Sequence, residues 1–220
     1  MVKYLYMIIP DISLEKSLWK KGFINVVGVD EAGKGPWAGP VTAASVVIHS
    51  DKQIVKIVRD SKLMTKIQRE KAFDQITKTS SAFGVGIVSE KEIDRIGIQK
   101  AVKKAMIHAL KNIKIKFGID VSCVLVDGSK TAPLTNYESL RIKKGGLYHY
   151  SISAASVLAK VTRDKIMKKM AKKYPLFGFD KHVGYGTKMH FKALEMYGAC
   201  PIHRKSYAPI KNMFRKNFSI

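Results

Sequence analysis

Apolar residues occur along this chain in two kinds of segment. Short uninterrupted apolar runs are typical of buried strands, whereas apolar residues three and four apart are typical of amphipathic helices. The first kind predicts four strands, within FINVVGVDEAG (23–33), VTAASVVIHS (41–50), SAFGVGIVSE (81–90) and VSCVLVDGSK (121–130).

The second kind predicts helices between and after these strands, at 13–22, 65–76, 90–114, 151–174 and near 188–198. Ser13 and Thr65 suit N-cap positions, and Gly22 lies past the end of the first helix. The expected apolar stripes are Ile67, Phe73 and Ile76 in the second helix, and Val102, Met106, Ala109 and Leu110 in the third.

Strands that come early, with helices interspersed later, favour an α/β class or an α+β class with one mixed central sheet flanked by helices. We expect an N-terminal helical segment at 1–22 and a main α/β domain at 23–174. Residues 175–220 are expected to form a basic helical extension that packs on this domain.

Length and composition narrow the class of protein. The 220 residues fit one large domain, and no stretch approaches the ~20 apolar residues of a membrane span. The first ten residues, MVKYLYMIIP, lack the features of a signal peptide. Cys123 and Cys200 are too few for a disulfide framework, and no Cys/His spacing suggests zinc. We expect a cytoplasmic protein with no membrane partner.

Positive charge is the strongest feature of the composition. The formal net charge is +23, and residues 160–220 hold fifteen Lys and Arg against three Asp and Glu. Such a surface attracts polyanions and favours a nucleic-acid partner, especially where aromatic residues are interleaved with the basic ones. A general bias of composition toward basic residues is the alternative.

Two of the predicted strands end on carboxylates. Asp30 and Glu31 follow VVGV, and Asp127 follows VLV. Adjacent residues of a regular strand point to opposite faces, but a bend at Gly33 and Gly35 would allow both carboxylates of the pair to serve one site. If the two strand ends are neighbours, the three carboxylates converge.

Three converging carboxylates would repel one another unless a cation lies between them. Oxygen ligands of this kind suit Mg²⁺ or Mn²⁺. Acidic ligands in a basic protein are expected for metal-dependent phosphodiester cleavage. The alternatives are a turn start with a surface charge for Asp30 and Glu31, and an ordinary turn aspartate for Asp127. GKGPWAG (33–39) does not have the spacing of a dinucleotide-binding loop.

Six segments in order resemble the type 2 ribonucleases H, specifically ribonuclease HII: VGVDEAGKGPWAGPV, RDSKLMT, VLVDGSK, SISAASVLAKVTRD, HVGYGTKMH and HRKSYAP. The resemblance covers residues 24–210 and implies an RNase H-like fold with a C-terminal helical extension. It also implies endonucleolytic cleavage of RNA in RNA–DNA hybrids, and incision 5′ of single ribonucleotides in duplex DNA. The products would carry 5′-phosphate and 3′-hydroxyl ends.

The resemblance also implies roles for individual residues. Asp30, Glu31 and Asp127 match catalytic metal-binding carboxylates. The others match substrate contacts: Gly33, Lys34 and Gly35 a loop that reads the 2′-hydroxyl through its backbone, Tyr185 a ring that stacks on the following deoxyribose, and Lys62 a contact to the backbone or the site.

Two positions depart from the family pattern. Lys34 stands where arginine is usual, which keeps the charge and loses the planar fork. Gly146 stands where a fourth carboxylate is expected, so a second metal ion would lose a ligand. Asp164 is another possible source of that carboxylate, but we favour its pairing with Lys160 one helical turn away.

The expected reaction is in-line attack by water on the phosphate 5′ of a ribonucleotide, by a monomer. Asp30 and Asp127 would mainly hold one ion, and Glu31 would lie near the other. Two alternatives stay open: a hybrid-binding protein weakened in catalysis because of Gly146, and a related nuclease or resolvase that needs no ribonucleotide.

Overall fold

The structure is a computed structural model that describes residues 8–128, 134 and 136–216. In this part of the chain five strands form one sheet: β1 (Val26–Ala32), β2 (Val41–Val47), β3 (Ala82–Val88), β4 (Cys123–Asp127) and β5 (Ser139–Ile142). Their order is β3-β2-β1-β4-β5. Strands β1, β2 and β3 are antiparallel neighbours, whereas β4 and β5 run parallel to β1. The predicted mixed sheet is confirmed, with β5 as a strand that the pattern did not predict.

The helices of the described residues are α1 (Ser13–Lys20), α2 (Lys66–Thr79), α3 (Glu90–Ile96), α4 (Ile98–Phe117), α5 (Gly145–Tyr148), α6 (Tyr150–Lys173), α7 (Phe179–His182), α8 (Lys188–Tyr197) and α9 (Ala208–Lys216). Short 3₁₀ turns lie at Asp51–Gln53, Ser61–Leu63 and Pro175–Phe177. No helix of these residues is both long enough and apolar enough to cross a membrane.

The predicted caps have mixed outcomes. Thr65 is the N-cap of α2 and forms a reciprocal capping box with Gln68. Ser13 is the first helical residue of α1 and not its cap, because the Asp11 carboxylate accepts the Ser13 backbone N–H over 2.8 Å. The helix predicted at 90–114 is divided at Gly97, whose φ of +79° interrupts the helix between α3 and α4.

The apolar stripe predicted for α2 is partly wrong. Ile76 is buried and Phe73 half-buried, but 78% of Ile67 is exposed. Ile67 and Ile76 are nine residues apart, which places them on opposite sides of a helix with 3.6 residues per turn. The stripe predicted for α4 is confirmed, because its four members are all buried.

Two apolar layers enclose the sheet, one under α4 and one under α6. Helix α6 lies very close to β1 because Gly28 has no side chain: a Cβ there would be 2.2 Å from the backbone carbon of Ser151. This close approach brings the buried face of α6 against β1, the strand that carries Asp30.

A third apolar cluster lies among the C-terminal helices. Phe177, Phe179 and Leu194 pack there with Met167 of α6 and with Ala38 from the loop after β1. The division at 22 and 174 stays a prediction. Residues 1–7 of the predicted N-terminal segment, residues 129 and 130 of the VLVDGSK segment, and residues 217–220 lie outside the described residues.

Candidate active site

The carboxyl ends of β1 and β4 lie side by side. The two strands pair in parallel, with Val29 opposite Val126, so that Asp30 and Asp127 occupy the next register position on each strand. The expectation that the two acidic strand ends are neighbours is confirmed.

Asp30 lies in the most buried part of this edge, with 6% of its surface exposed. Its Oδ1 accepts the backbone N–H of Glu31 over 2.8 Å, and the Ser156 hydroxyl of α6 also contacts the carboxylate. Burial, followed by the negative charges of Glu31 and Asp127, raises the pKa of Asp30 well above its ordinary value. A cation at this position would reverse that effect.

Glu31 lies one residue further along the strand, next to the loop that follows. Its Oε1 forms a 2.5 Å ion pair with the ammonium of Lys34. Its Oε2 is buried and has no hydrogen-bond partner. Burying a carboxylate oxygen without a partner is unfavourable in free energy. Glu31 Oε2 is therefore suited to bind a cation or a hydrogen-bond donor of a substrate.

Asp127 faces two glycines at the start of α5. Its Oδ1 accepts the backbone N–H of Gly145 over 2.7 Å. A Cβ added at Gly146 would lie 3.8 Å from Asp127 Oδ2 and 3.2 Å from Oδ2 of another carboxylate, Asp60. The structure therefore adds Asp60 to this edge, although the sequence reasoning assigned it no role.

Lys62 lies in the 3₁₀ turn Ser61–Leu63 and Asp60 is the N-cap of that turn, and both line one cavity with Asp127. Burial acts to lower the pKa of Lys62, but the charges of Asp60, Asp30, Asp127 and Glu31 outweigh it and raise that pKa above its ordinary value. Lys62 lines this cavity with Asp60 and Asp127, and its role at the site stays a prediction.

The case for a metal ion at this edge depends on the kind of ligand atoms that the side chains offer. Among the described residues, no three His, Cys, Asp or Glu side chains lie close enough together, as placed, to ligate one ion. Glu31 is turned toward Lys34, and Asp127 toward the backbone of Gly145. The buried carboxylate of Asp30 and the unpaired Oε2 of Glu31 nevertheless offer the oxygen donors that a divalent cation takes.

The loop of Gly33, Lys34 and Gly35 is held from below by Arg204, which is fully buried. The Arg204 guanidinium donates to the carbonyls of Gly33 over 2.7 Å and Lys34 over 3.0 Å. Tyr207 donates its hydroxyl to the same Lys34 carbonyl over 2.5 Å. Arg204 and Tyr207 stand in HRKSYAP, but sequence reasoning assigned neither a role.

A second buried arginine, Arg163 of α6, supports the chain after this loop. It donates to the carbonyls of Ala38, Pro40 and Val183 over 2.9–3.0 Å. Gly33 has a φ of +98°, and a Cβ there would be 2.2 Å from Arg163 Nε, so that only glycine fits.

Tyr185 lies beside Gly35, as a shared role of the two residues would require. A Cβ added at Gly35 would be 3.7 Å from Tyr185 Cε1. Tyr185 is 44% exposed, and the Lys160 ammonium is 6.0 Å from the centroid of its ring. Lys160 also forms a 2.8 Å ion pair with Asp164, in agreement with the pairing that the sequence favoured.

The family model for ribonuclease HII matches residues 27–210. The chain belongs to the ribonuclease HII family. A ribonuclease HII of Caldicellulosiruptor bescii is 47% identical over 200 residues, which cover 91% of this chain and 93% of that protein.

Solved structures agree with the ribonuclease HII assignment. The ribonuclease H2 of Pyrococcus horikoshii OT3 is 28% identical, with a TM-score of 0.73 over 89% of this chain and all of that one. A Bst ribonuclease HIII in complex with Mn²⁺ is 15% identical, with a TM-score of 0.64 over 90% of this chain and 71% of that one, and shows the shared fold. The chain is a ribonuclease H enzyme, of a divalent-metal-dependent family that cleaves RNA in RNA–DNA hybrids.

Proposed function

We propose that this chain is an endonuclease that cleaves the RNA strand of RNA–DNA hybrids and also incises duplex DNA 5′ of a single embedded ribonucleotide. The products carry 5′-phosphate and 3′-hydroxyl ends, which suits the removal of ribonucleotides from DNA. The observation that carries the proposal is the meeting of two acidic strand ends with a glycine loop and an exposed tyrosine ring.

Asp30, Glu31 and Asp127 hold the divalent cations, Mg²⁺ or Mn²⁺. Bound there, such ions activate water and stabilise the oxygen that leaves the phosphate. The burial of Asp30 beside two other carboxylates and the unpaired Oε2 of Glu31 support this assignment, because a cation would relieve both. Lys62 contacts the phosphate next to the carboxylates.

Gly33, Lys34 and Gly35 recognise the ribonucleotide through their backbone. The packing of the protein around Gly35 leaves room for a side chain, and its backbone is not left-handed, so the fold itself does not require glycine there. Close approach of a sugar does require it. Tyr185, beside Gly35, stacks on the next deoxyribose. Lysine at position 34 can replace the usual arginine in this role, because the recognition uses the backbone of the loop. Arg204 holds the backbone carbonyl of Lys34 and not its side chain.

The test is a comparison of three labelled substrates, in Mg²⁺ and in Mn²⁺: all-DNA duplex, RNA–DNA hybrid, and duplex DNA with one ribonucleotide. We expect incision of the second and third, lost in Asp30→Asn and kept in Asp51→Asn. Asp51 is a matched control because it is exposed and pairs with Lys16. Light scattering on the same samples tests our proposal of a monomer.

Other outcomes correspond to the alternatives. Cleavage of all-DNA duplex would indicate a nuclease that needs no ribonucleotide. Tight binding of the third substrate without incision in either metal would indicate a hybrid-binding protein disabled at Gly146, and Gly146→Asp should then restore incision. Near wild-type incision by Asp30→Asn would refute the metal site.

A further inference from the structure

The space above Gly146 lies between two carboxylates that come from distant parts of the chain. A Cβ built there is 3.2 Å from Asp60 Oδ2 and 3.8 Å from Asp127 Oδ2. The Oδ2 atom of Asp60 therefore lies beside the space that a side chain at position 146 would occupy. Asp60 and Asp127 also line one cavity of about 380 Å³, together with Lys62 and Lys144.

The two oxygens of Asp60 have different surroundings. Oδ1 accepts the backbone N–H of Lys62 over 2.9 Å, which caps the 3₁₀ turn and fixes the side chain. Oδ2 is the atom directed at Gly146. Asp60 and Lys62 line the same cavity as Asp127. Asp127 lies beside Asp30 at the paired ends of β4 and β1, so the capped turn faces this edge of the sheet.

We propose that Asp60 is a fourth carboxylate of the active site, which supplies to the cation the oxygen that Gly146 cannot. The inference rests on the proposed metal site of Asp30, Glu31 and Asp127. The fourth carboxylate then comes from the turn that Asp60 caps, on the other side of the cavity, and not from α5. In this arrangement the chain holds its metal ion without an acidic residue at position 146.

The first test is Mn²⁺ titration of the protein by calorimetry, without substrate. Asp60→Asn keeps an oxygen to cap Lys62 N and removes the charge, so we expect Mn²⁺ affinity to fall about tenfold or more, with chelator-treated protein as stable as before. Asp51→Asn is the charge-matched control and should bind Mn²⁺ like wild type. Unchanged affinity in Asp60→Asn would overturn the proposal.

The same titration separates this proposal from the proposed function. The Mn²⁺ affinity of Asp30→Asn is the reference value for a protein that has lost the metal site. If Asp30→Asn loses Mn²⁺ and Asp60→Asn does not, Asp60 is excluded while the metal site stands. If wild type binds no Mn²⁺, both the metal site and the role of Asp60 are refuted.

A carboxylate exchange gives an independent test. Asp60→Ser retains a hydroxyl that can cap the turn but shortens the side chain, and it should lose Mn²⁺ affinity. Adding Gly146→Asp places a carboxylate in the vacated space and should restore affinity to within about threefold of wild type. A double variant that folds like wild type but binds no better than Asp60→Ser would contradict the shared position.

Discussion

Arg204 Nη2 donates to the carbonyl of Gly33 over 2.7 Å, and this bond joins the C-terminal part of the chain to the loop beside the carboxylates. The guanidinium is fully buried, and burial lowers its pKa while the hydroxyl of Tyr207 opposes that shift. Its hydrogen bonds all go to neutral partners, which are backbone carbonyls and Tyr207. Arg204 is therefore a positioning residue for the recognition loop.

Arg204→Lys should separate loop geometry from charge. A lysine keeps the charge but cannot serve the carbonyls of Gly33 and Lys34 together, so we expect a loss of about 3 kcal/mol in the free energy of unfolding. Urea denaturation measures it. Incision at a single ribonucleotide should fall more than cleavage of a long hybrid, and equal losses on the two substrates would argue against a positioning role.

Two glycines of the loop should respond differently to alanine. Gly35→Ala meets only an ordinary contact with Tyr185, so stability should change by less than about 0.5 kcal/mol. Incision at a single ribonucleotide should nevertheless fall at least about tenfold, because the methyl group occupies the approach of the sugar. Gly33→Ala is the matched comparison: its positive φ and its clash with Arg163 should reduce stability itself. Full activity of Gly35→Ala would contradict backbone recognition.

Asp30→Asn should stabilise the metal-free enzyme while it abolishes cleavage. The pKa of Asp30 is raised in the folded state, so its favourable contribution is present at low pH and is lost as pH rises through that pKa. Removing the charge should raise Tm by about 2–4 °C in chelator at pH 7. The gain should vanish in acid, where the wild-type carboxyl is protonated. A lower Tm for the variant at pH 7 would show that Asp30 is stabilised by its protein contacts.

The sequence could predict the acidic strand ends because both features are local. A short apolar run and a terminal carboxylate are visible without a tertiary structure, and the two carboxylates then meet if β1 lies beside β4. The long apolar stripe of α4 is local in the same way, and all its predicted members are buried.

Asp60 and Arg204 could not be assigned by the same reasoning. In the sequence Asp60 looks like an ordinary turn aspartate. It lies close to Gly146 in the fold, although the two residues are 86 positions apart in the sequence. Arg204 reads as one of many basic residues, and only the folded chain shows that it is buried beneath Gly33. Interactions between distant segments leave no periodic signal in a single sequence.

A buried histidine pair holds the backbone of Tyr185. His190 Nδ1 lies 2.9 Å from the Tyr185 carbonyl, which can only accept, so this nitrogen is the donor. His190 Nε2 is then an acceptor for His203 Nε2, 2.9 Å away. In a neutral His203 ring this leaves Nδ1 to accept the Cys200 backbone N–H over 2.9 Å, although the Cys200 carbonyl is 3.1 Å from the same nitrogen. Each ring is thus neutral, with one donor and one acceptor. A proton on His190 Nε2 would face another N–H.

Acid should therefore weaken this part of the fold. Burial, the first cause for both rings, lowers the pKa of His190 and of His203 to about 4. The unfolded chain takes up protons near pH 6.5 and the folded chain only near 4, so the free energy of unfolding should fall as pH drops through that window. Because His190 bonds the Tyr185 carbonyl, incision at a single ribonucleotide should decline in the same window.

Urea denaturation between pH 7 and pH 4, in chelator, measures this effect. His190→Gln retains a side-chain donor for the Tyr185 carbonyl but cannot be protonated, so its stability should depend less on pH than that of wild type. His108 lies on α4, away from this pair, and His108→Gln is the matched control that should keep the wild-type slope. An equal slope in all three proteins would assign the acid sensitivity to other groups and leave His190 as a packing residue only.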